Sequence, residues 1–244
     1  MSKLIHFVSE DGYYELTHTG YTVLICLILA ILAISAILVG RKQKAGGFSV
    51  RKLTFAGIAL ALAFITSYIR FEWFMGGSIT LFSMFFICYV GYLYGVNVGL
   101  LTAFAYSLLQ FIQSGGSYFL TPFQVCCDYF FAFTALGLAG LWYKKKNGLV
   151  IGYIVACLVR GLFHTLGGYI YWMDYMPEWF PQSIAALYSP IYNYSYILSE
   201  MALTLIVLAI PPVRNAIGKV TVLARDEADR DASVKKEKEQ TKEQ

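Results

Sequence analysis

A carboxylate inside a long apolar run is the first feature of this sequence that could carry chemistry. Asp128 and its neighbour Tyr129 lie in the stretch 117–133 (SYFLTPFQVCCDYFFAF), which is predicted to belong to a membrane-spanning helix. An aspartate at the centre of a lipid-facing span costs roughly 2.5 kcal/mol or more, so such a residue normally faces a partner or a water-filled cavity. Asp128 is therefore expected either to pair with a basic residue of a neighbouring helix or to balance the charge of a cationic ligand.

Two further polar side chains are predicted at the same depth. With a rise of 1.5 Å per residue, Asp128 and Asn193 lie about 10 Å, and His164 about 12 Å, from the outer ends of their helices. His164, Gly168 and Trp172 follow at i, i+4 and i+8, so they share one helix face, where the glycine is expected to leave a gap for a flat ring. A lone buried histidine is more often a satisfied core residue, and that interpretation stays open for His164, but the shared depth favours a ligand site.

The predicted cluster combines aromatic rings with one carboxylate, which suits an organic cation that contains aromatic rings. Aromatic faces attract cations by ~2 kcal/mol or more when desolvated, and asparagine or histidine can satisfy ring nitrogens. The sequence holds no G-x-x-x-x-G-K-[ST] phosphate-binding loop and no recognised pair of nucleophile and base. The five cysteines lie in apolar runs without metal-site spacing. The chain is therefore predicted not to be an enzyme, to hold no metal and not to hydrolyse ATP itself.

A second pair of buried charges is predicted at a deeper level. By the same rise per residue, Arg160 lies about 18 Å and Glu200 about 21 Å from the outside, on consecutive antiparallel spans. Opposite charges at one depth on adjacent helices neutralise each other. Arg160 and Glu200 are therefore expected to form a structural ion pair beneath the cavity, and Glu200→Gln to impair folding more than binding.

The composition places these residues in a membrane protein. Of the 244 residues, 58% are hydrophobic and only 14% are charged. Most of the chain is divided into apolar runs of about 20 residues, the length that lets a helix cross ~30 Å of hydrocarbon. The formal net charge of +4 does not indicate a nucleic-acid partner, because the basic residues collect at the ends of the apolar runs, where they set orientation.

Seven spans are predicted, at residues 20–40, 53–69, 78–94, 96–112, 121–142, 149–172 and 186–210. Residues 1–19 are expected to be extracellular, 41–52 to form a basic cytoplasmic loop, and 213–244 to form a charged cytoplasmic tail that is a frayed helix or disordered. The N-terminus is thus outside and the C-terminus inside, because the inner loops hold most of the lysine and arginine. The predicted fold class is an all-α integral membrane protein, in which a six-helix substrate-binding domain (53–212) follows one additional transmembrane helix.

From about residue 53 to 212 the chain resembles the thiamine-specific S components of energy-coupling factor (ECF) transporters, six-helix proteins of the bacterial cell membrane. The match is carried by Tyr118, the pair Asp128 and Tyr129, His164 with Gly168 and Trp172, and Tyr188 five residues before Asn193. The resemblance implies that these residues, with Trp73, line a thiamine pocket near the outer face. It also implies that Ala59 and Ala63 form the small-residue motif through which the first family helix meets a transmembrane coupling protein.

Two features depart from that family pattern. The family has glutamate before the tyrosine, whereas this chain has Asp128, whose side chain is shorter by one methylene. The additional first helix and the charged tail lie outside the resemblance.

The function implied is capture of extracellular thiamine by an S subunit, with ATP used by two partner ATPases and no cofactor bound by this chain. A self-sufficient proton-coupled carrier for thiamine or a related thiazole or pyrimidine precursor is the main alternative. A membrane-embedded enzyme acting on a lipid or a cofactor precursor, and a purely structural subunit, are the others. Apart from thiamine, the expected partners are the coupling protein, the ATPases and membrane lipid.

Overall fold

The computed structural model describes residues 5–8, 13–17, 19–20, 22–23, 50–115 and 119–240. Two antiparallel hairpins are described, β1 (Ile5–Val8) with β2 (Tyr13–Leu16) and β3 (Arg70–Glu72) with β4 (Ser78–Thr80). The helices described are α1 (Val50–Ser67), α2 (Ser83–Tyr94), α3 (Val96–Gln113), α4 (Pro122–Trp142), α5 (Gly148–Tyr171), α6 (Tyr188–Ala209) and α7 (Pro211–Gln240). Most of the predicted span at 20–40 and most of the basic loop at 41–52 lie outside the described residues. The side-chain contacts below all lie within 50–115 and 119–225.

Five helices of the described chain are long and apolar enough to cross a membrane. They are α1, α3, α4, α5 and the 28-residue unit Gln182–Ala209 that contains α6. Helix α2 is also apolar but has 12 residues. Helix α4 packs on α2, α3 and α5, so it occupies the centre of the bundle. The predicted all-α membrane architecture is confirmed.

Helix α4 reaches its central position through glycines. A Cβ atom added to Gly137 would lie 2.5 Å from the backbone of Gly99, and one added to Gly140 would lie 2.5 Å from the backbone of Val96. Backbone atoms cannot move aside as the end of a flexible side chain can, so larger residues here would force the helices apart. Gly95, at φ 92°, makes the tight turn between α2 and α3 against which Gly140 packs.

The predicted outer loop at 70–77 is a β-hairpin, and its second strand takes residues from the predicted third span. Strand β4 occupies the first three residues of that span, and Phe82 is left-handed at φ 63°, so α2 begins only at Ser83. The hairpin packs on α6. The predicted start of this span was therefore wrong, because an apolar run alone does not show where extended chain changes to helix.

The charged tail is helical in the structure. Pro211 and Pro212 occupy the first turn of α7, where a missing N–H is tolerated. The helix then folds onto the bundle, where the Tyr89 hydroxyl donates to the Ile217 carbonyl at 3.1 Å and lies 2.9 Å from the Thr221 hydroxyl. The tail thus begins as a docked helix rather than as a frayed one.

The two alanines predicted to meet a coupling protein lie inside the bundle. Ala63 has no exposed surface and Ala59 has 9%. The exposed small residues of α1 are instead Gly57 and Ala61. An offset of two residues turns a side chain by about 200° around a helix, so the two pairs point to opposite faces. The predicted partner surface is corrected accordingly: Ala59 and Ala63 pack internally.

Candidate functional site

A cavity of about 650 Å³ lies between the β3–β4 hairpin, α4, α5 and α6. This volume falls in the range of small-molecule sites. Seven of the nine residues predicted to bind a ligand line the cavity: Asp128, Tyr129, His164, Gly168, Trp172, Tyr188 and Asn193. The end of the bundle that carries this cavity and the hairpin is called the cavity end below.

The carboxylate of Asp128 is held by neutral donors. Its Oδ2 accepts hydrogen bonds from Gln124 Nε2 at 2.6 Å and from Trp172 Nε1 at 3.0 Å. Its Oδ1 lies 3.9 Å from His164 Nδ1, and the Asp128 side chain keeps 16% of its surface exposed. Among the described residues that line the cavity, Asp128 is the only Asp, Glu, Lys or Arg. The expected alternative, a structural pair with a basic residue, is not formed with any described lysine or arginine of the cavity wall; the nearby basic side chain is His164, and Asp128 lines the cavity.

The local backbone of α4 presents Asp128 to this cavity. Thr121 caps the helix by accepting from Gln124 N at 3.1 Å. From Cys126 to Phe131 the helix widens into a π-helical turn. Such turns frequently occur at functional sites. Gly167 of α5 makes room for the carboxylate, because a Cβ atom there would lie 2.7 Å from Asp128 Oδ1.

The stripe of His164, Gly168 and Trp172 lies on α5 as predicted, but the expected gap at the glycine is filled. A Cβ atom on Gly168 would collide with Ser189 Oγ and lie 3.2 Å from Asn193 Nδ2, both from α6. Gly168 therefore allows α5 and α6 to approach closely. The prediction of an open slot for a ring between imidazole and indole is corrected.

Asn193 connects these two helices. Its Nδ2 donates to the backbone oxygens of His164 at 3.3 Å and Ser189 at 3.0 Å, and its Oδ1 accepts from the Tyr196 hydroxyl at 3.0 Å. Both amide hydrogens are thereby used, which leaves one acceptor position on Oδ1. The Nε2 of His164 is buried and has no hydrogen-bond partner among the described residues.

Sequence reasoning missed several residues of the site. Gln124 is 1% exposed and lies one turn before Asp128, a spacing that could have identified it. Tyr192 and Tyr196 continue a spacing of four residues from Tyr188 along α6, which is also visible in the sequence. Met75 of the hairpin lines the cavity as well, and no periodic signal pointed to it.

The remaining two predicted site residues do not lie on the cavity wall of the described chain. Trp73 packs against the hydrophobic core, with its ring 5.0 Å from that of Phe74. Its backbone N donates to Gly77 O at 3.1 Å, so it closes the turn that brings Met75 and Gly77 to the cavity. Tyr118 lies outside the described residues.

The predicted ion pair of Arg160 and Glu200 is wrong. Both side chains are buried, at 8% and 2% exposure. Glu200 Oε2 instead accepts from Thr80 N at 2.9 Å and from Thr80 Oγ1 at 2.8 Å. The Arg160 guanidinium carbon lies 4.4 Å from the centroid of the Phe133 ring, which lines the cavity. Equal depth on adjacent helices thus did not bring the two side chains into direct contact, although the two buried groups still interact electrostatically.

The structure is a membrane helix bundle that encloses one carboxylate among tyrosine, tryptophan and histidine side chains. These features are typical of multi-pass membrane proteins that bind a small solute. Residues 53–218 match the family described as thiamine transporter protein (Thia_YuaJ). That match covers more than half of the chain, and the chain belongs to this family. It is accordingly a multi-pass membrane protein of a bacterial transporter family with a role in thiamine transport, and the family is not one of enzymes.

Two relatives support this assignment. The thiamine transporter ThiT of Bacillus subtilis is 28% identical over 148 residues, which cover 55% of this chain and 74% of that protein. A solved structure of ThiT from Listeria monocytogenes superposes with a TM-score of 0.53 at 18% identity, covering 72% of this chain and 93% of that one. At that identity the second likeness concerns the fold alone.

Proposed function

We propose that this chain is the substrate-binding (S) subunit of an ATP-dependent ECF-type vitamin transporter and that it captures extracellular thiamine. The observation that supports this proposal most directly is the carboxylate of Asp128, which lines an aromatic cavity that has no lysine or arginine among its described lining residues. Thiamine is a cation built from two aromatic rings, so its charge and its shape both match such a site. A buried carboxylate without a counter-ion is costly, and a bound cation removes that cost.

The geometry assigns different tasks to the lining residues. Asp128 supplies the negative charge of the cavity wall, and Gln124 and Trp172 fix its carboxylate through Oδ2. Tyr188 and the indole of Trp172 offer ring faces to a cation. His164 is a further polar side chain of the cavity wall that a ligand can contact. The side chain of Asp128 is shorter than that of glutamate by one methylene. The position of its carboxylate therefore depends on the widened turn of α4 and on the two hydrogen-bond donors, Gln124 and Trp172.

The proposed transport cycle needs other proteins. ATP is used by two ATPase subunits, and a transmembrane coupling protein links them to this chain, which itself binds no cofactor. The cavity end faces outward and the lysine-rich end, Lys144 to Lys146, faces the cytoplasm, in keeping with the distribution of basic residues in the sequence. The N-terminus is then outside and the C-terminus inside.

The first test is a thiamine titration of the purified full chain, followed by intrinsic tryptophan fluorescence. Saturable quenching is expected for the wild type, and Asp128→Asn is expected to weaken thiamine binding by tenfold or more, because a hydrogen bond to a charged group contributes about 1.5–3 kcal/mol. Asp174→Asn is the matched control, since Asp174 is exposed and does not line the cavity. Quenching that survives Asp128→Asn unchanged would contradict the proposed site.

The second test separates an S subunit from a self-sufficient carrier. The close approach of His164 to Asp128, 3.9 Å, is the feature that a proton-coupled carrier could use. Uptake of labelled thiamine is expected only when the chain is produced with a coupling protein and two ATPases. Uptake by the chain alone, abolished by a protonophore, would establish the carrier instead.

A further inference from the structure

Glu200 makes a buried contact that the solute site does not explain. Its Oε2 accepts two hydrogen bonds from one residue of β4, the backbone N–H and the hydroxyl of Thr80. The Thr80 oxygen in turn lies 2.6 Å from Ser83 Oγ, at the first residue of α2. Since Thr80 gives its hydroxyl proton to the carboxylate, Ser83 is the donor of that third bond. Hydrogen bonds to an ionised acceptor belong to the stronger class.

Glu200 lies on the helix face that forms one wall of the cavity. Tyr188, Tyr192, Tyr196 and Glu200 follow at intervals of four residues on α6, so each lies about 40° around the helix from the one before it, and Glu200 is the neighbour of Tyr196 on this face. The three tyrosines line the cavity, whereas Glu200 lies one turn beyond them and does not. Strand β4, which is hydrogen-bonded to Glu200, is thus fixed to α6, the helix whose tyrosines form the aromatic wall of the cavity.

The hairpin meets this wall at a second place. Gly76 and Gly77 have φ values of +99° and +72°, which favour glycine. A Cβ atom on Gly76 would lie 2.8 Å from the Tyr192 hydroxyl, and one on Gly77 would lie 2.7 Å from Tyr196 Cδ1. The turn is therefore pressed against the tyrosines, and it brings Met75 and Gly77 to the cavity.

We infer that Thr80 and Glu200 form a tether that holds the β3–β4 hairpin against the cavity wall and slows the release of bound ligand. Both are positioning residues, because neither of them lines the cavity. The hairpin has only three paired residues in each strand, so its own ladder is short. An anchor at Thr80 fixes the arm that leads back into α2, while the glycine contacts fix the tip. The identity of the ligand rests on the proposed function; the tether itself does not.

The test compares three variants of the full chain in detergent. Thr80→Val removes the hydroxyl donor at nearly constant volume, and Thr80→Ser keeps it. Thr204→Val removes a buried hydroxyl of α6 that donates to the backbone oxygen of Glu200 at 2.8 Å and is not part of the tether. Amide hydrogen exchange over residues 70–80 is measured without thiamine, and thiamine dissociation is measured by stopped-flow fluorescence. Thr80→Val is expected to speed both exchange and dissociation about tenfold. The other two variants are expected to stay within about twofold of wild type, since the tether is intact in both.

Each outcome decides a separate claim. Unchanged exchange over 70–80 in Thr80→Val overturns the tether, whether or not thiamine binds. Faster exchange with unchanged dissociation overturns its role in retaining the ligand. A wild-type chain that binds no thiamine overturns the proposed function and that role with it, while the exchange data still decide the tether. Thr80→Ala removes the same donor without added bulk and replaces Thr80→Val if that variant cannot be purified.

Discussion

At the scale of single residues, Gln124 is the support on which the orientation of the Asp128 carboxylate depends. Its Nε2 donates to Oδ2 at 2.6 Å while its Oε1 accepts from Leu120 N at 3.2 Å, so the amide is fixed from both sides. A side chain that is 1% exposed and bonded at both ends loses little entropy on ligand binding. The carboxylate of Asp128 is thereby held in place before a cation arrives.

Gln124→Leu should weaken thiamine binding about tenfold in a folded chain, because the carboxylate loses one of its two described donors. The dissociation constant from tryptophan quenching or calorimetry is the measurement. Gln182→Leu is the control, since Gln182 is exposed and does not line the cavity. Equal affinity in Gln124→Leu and wild type would show that Trp172 alone positions Asp128.

Much of the site at this scale could be predicted from spacing. The rise of 1.5 Å per residue placed Asp128, His164 and Asn193 at one level, and the structure brings all three to one cavity. Gln124 was missed because its side chain is neutral. A buried charge in an apolar run costs free energy and so indicates a site, whereas a neutral amide gives no such signal. The partner of Glu200 was missed because Thr80 lies in a short strand, and the spacing of residues along helices does not predict a hydrogen bond to a strand.

At the scale of elements, the close approach of α5 and α6 shapes the cavity wall. Gly168 permits this approach, since Ser189 and Asn193 occupy the space that a side chain would need. The Ser189 hydroxyl also donates to Thr165 O at 2.8 Å, which joins the same two helices. A small change in the distance between these helices would therefore move His164 relative to Tyr188.

Gly168→Ala should lower both thermal stability and thiamine affinity, because overpacking a close contact costs about 1–3 kcal/mol. Gly57→Ala is the matched control: Gly57 is on the exposed face of α1, and a Cβ atom there meets no atom within 4 Å. That control should be neutral or slightly stabilising. The readouts are the unfolding temperature in detergent and the thiamine titration.

A double variant locates the cause of this loss. Gly168→Ala with Ser189→Ala removes the nearest colliding atom but leaves Ser189 Cβ, at 3.1 Å, in place as alanine. Part of the lost stability should return. Ser189→Ala alone is the reference, because it loses the same hydrogen bond to Thr165 O. If Gly168→Ala costs as much stability in that background as in the wild type, the alanine acts elsewhere than at the contact between α5 and α6.

Elements differ in how far the sequence predicts them. The long apolar helices followed directly from hydrophobic length, so the predicted span 96–112 is close to the observed Val96–Gln113. The hairpin could not be predicted in this way, because three-residue strands have too little periodicity to identify. The buried face of α1 was also undetermined: small residues occur on both of its sides, and only packing against α2 and α3 selects Ala59 and Ala63 for the interior.

At the scale of the whole molecule, the two ends of the bundle carry different structures. The cavity end holds Asp128, and the opposite end holds Tyr143, which directly follows the last residue of α4. Helix α7 docks at that opposite end, and it continues to Gln240 although the family match ends at residue 218. The two regions should therefore respond separately to mutation.

Arg225 is the side chain that fastens α7 to the bundle. Its Nη2 donates to Tyr92 O at 2.6 Å, and its guanidinium carbon lies 4.3 Å from the Tyr92 ring and 5.3 Å from the Tyr143 ring. Neighbouring Ala224 is 1% exposed. The contact thus joins α7 to the turn between α2 and α3 and to the residue that follows α4.

Arg225→Ala should lower the unfolding temperature by roughly 5 °C, as expected for the loss of about 2 kcal/mol from a charged hydrogen bond and a cation–π contact. Thiamine affinity should stay at the wild-type value, because the affected end is remote from Asp128. Arg214→Ala is the control, since Arg214 lies in the exposed first turn of the same helix. If Arg225→Ala instead weakens thiamine binding while Arg214→Ala does not, the two ends are coupled, and the docked helix acts on the cavity through the body of the bundle.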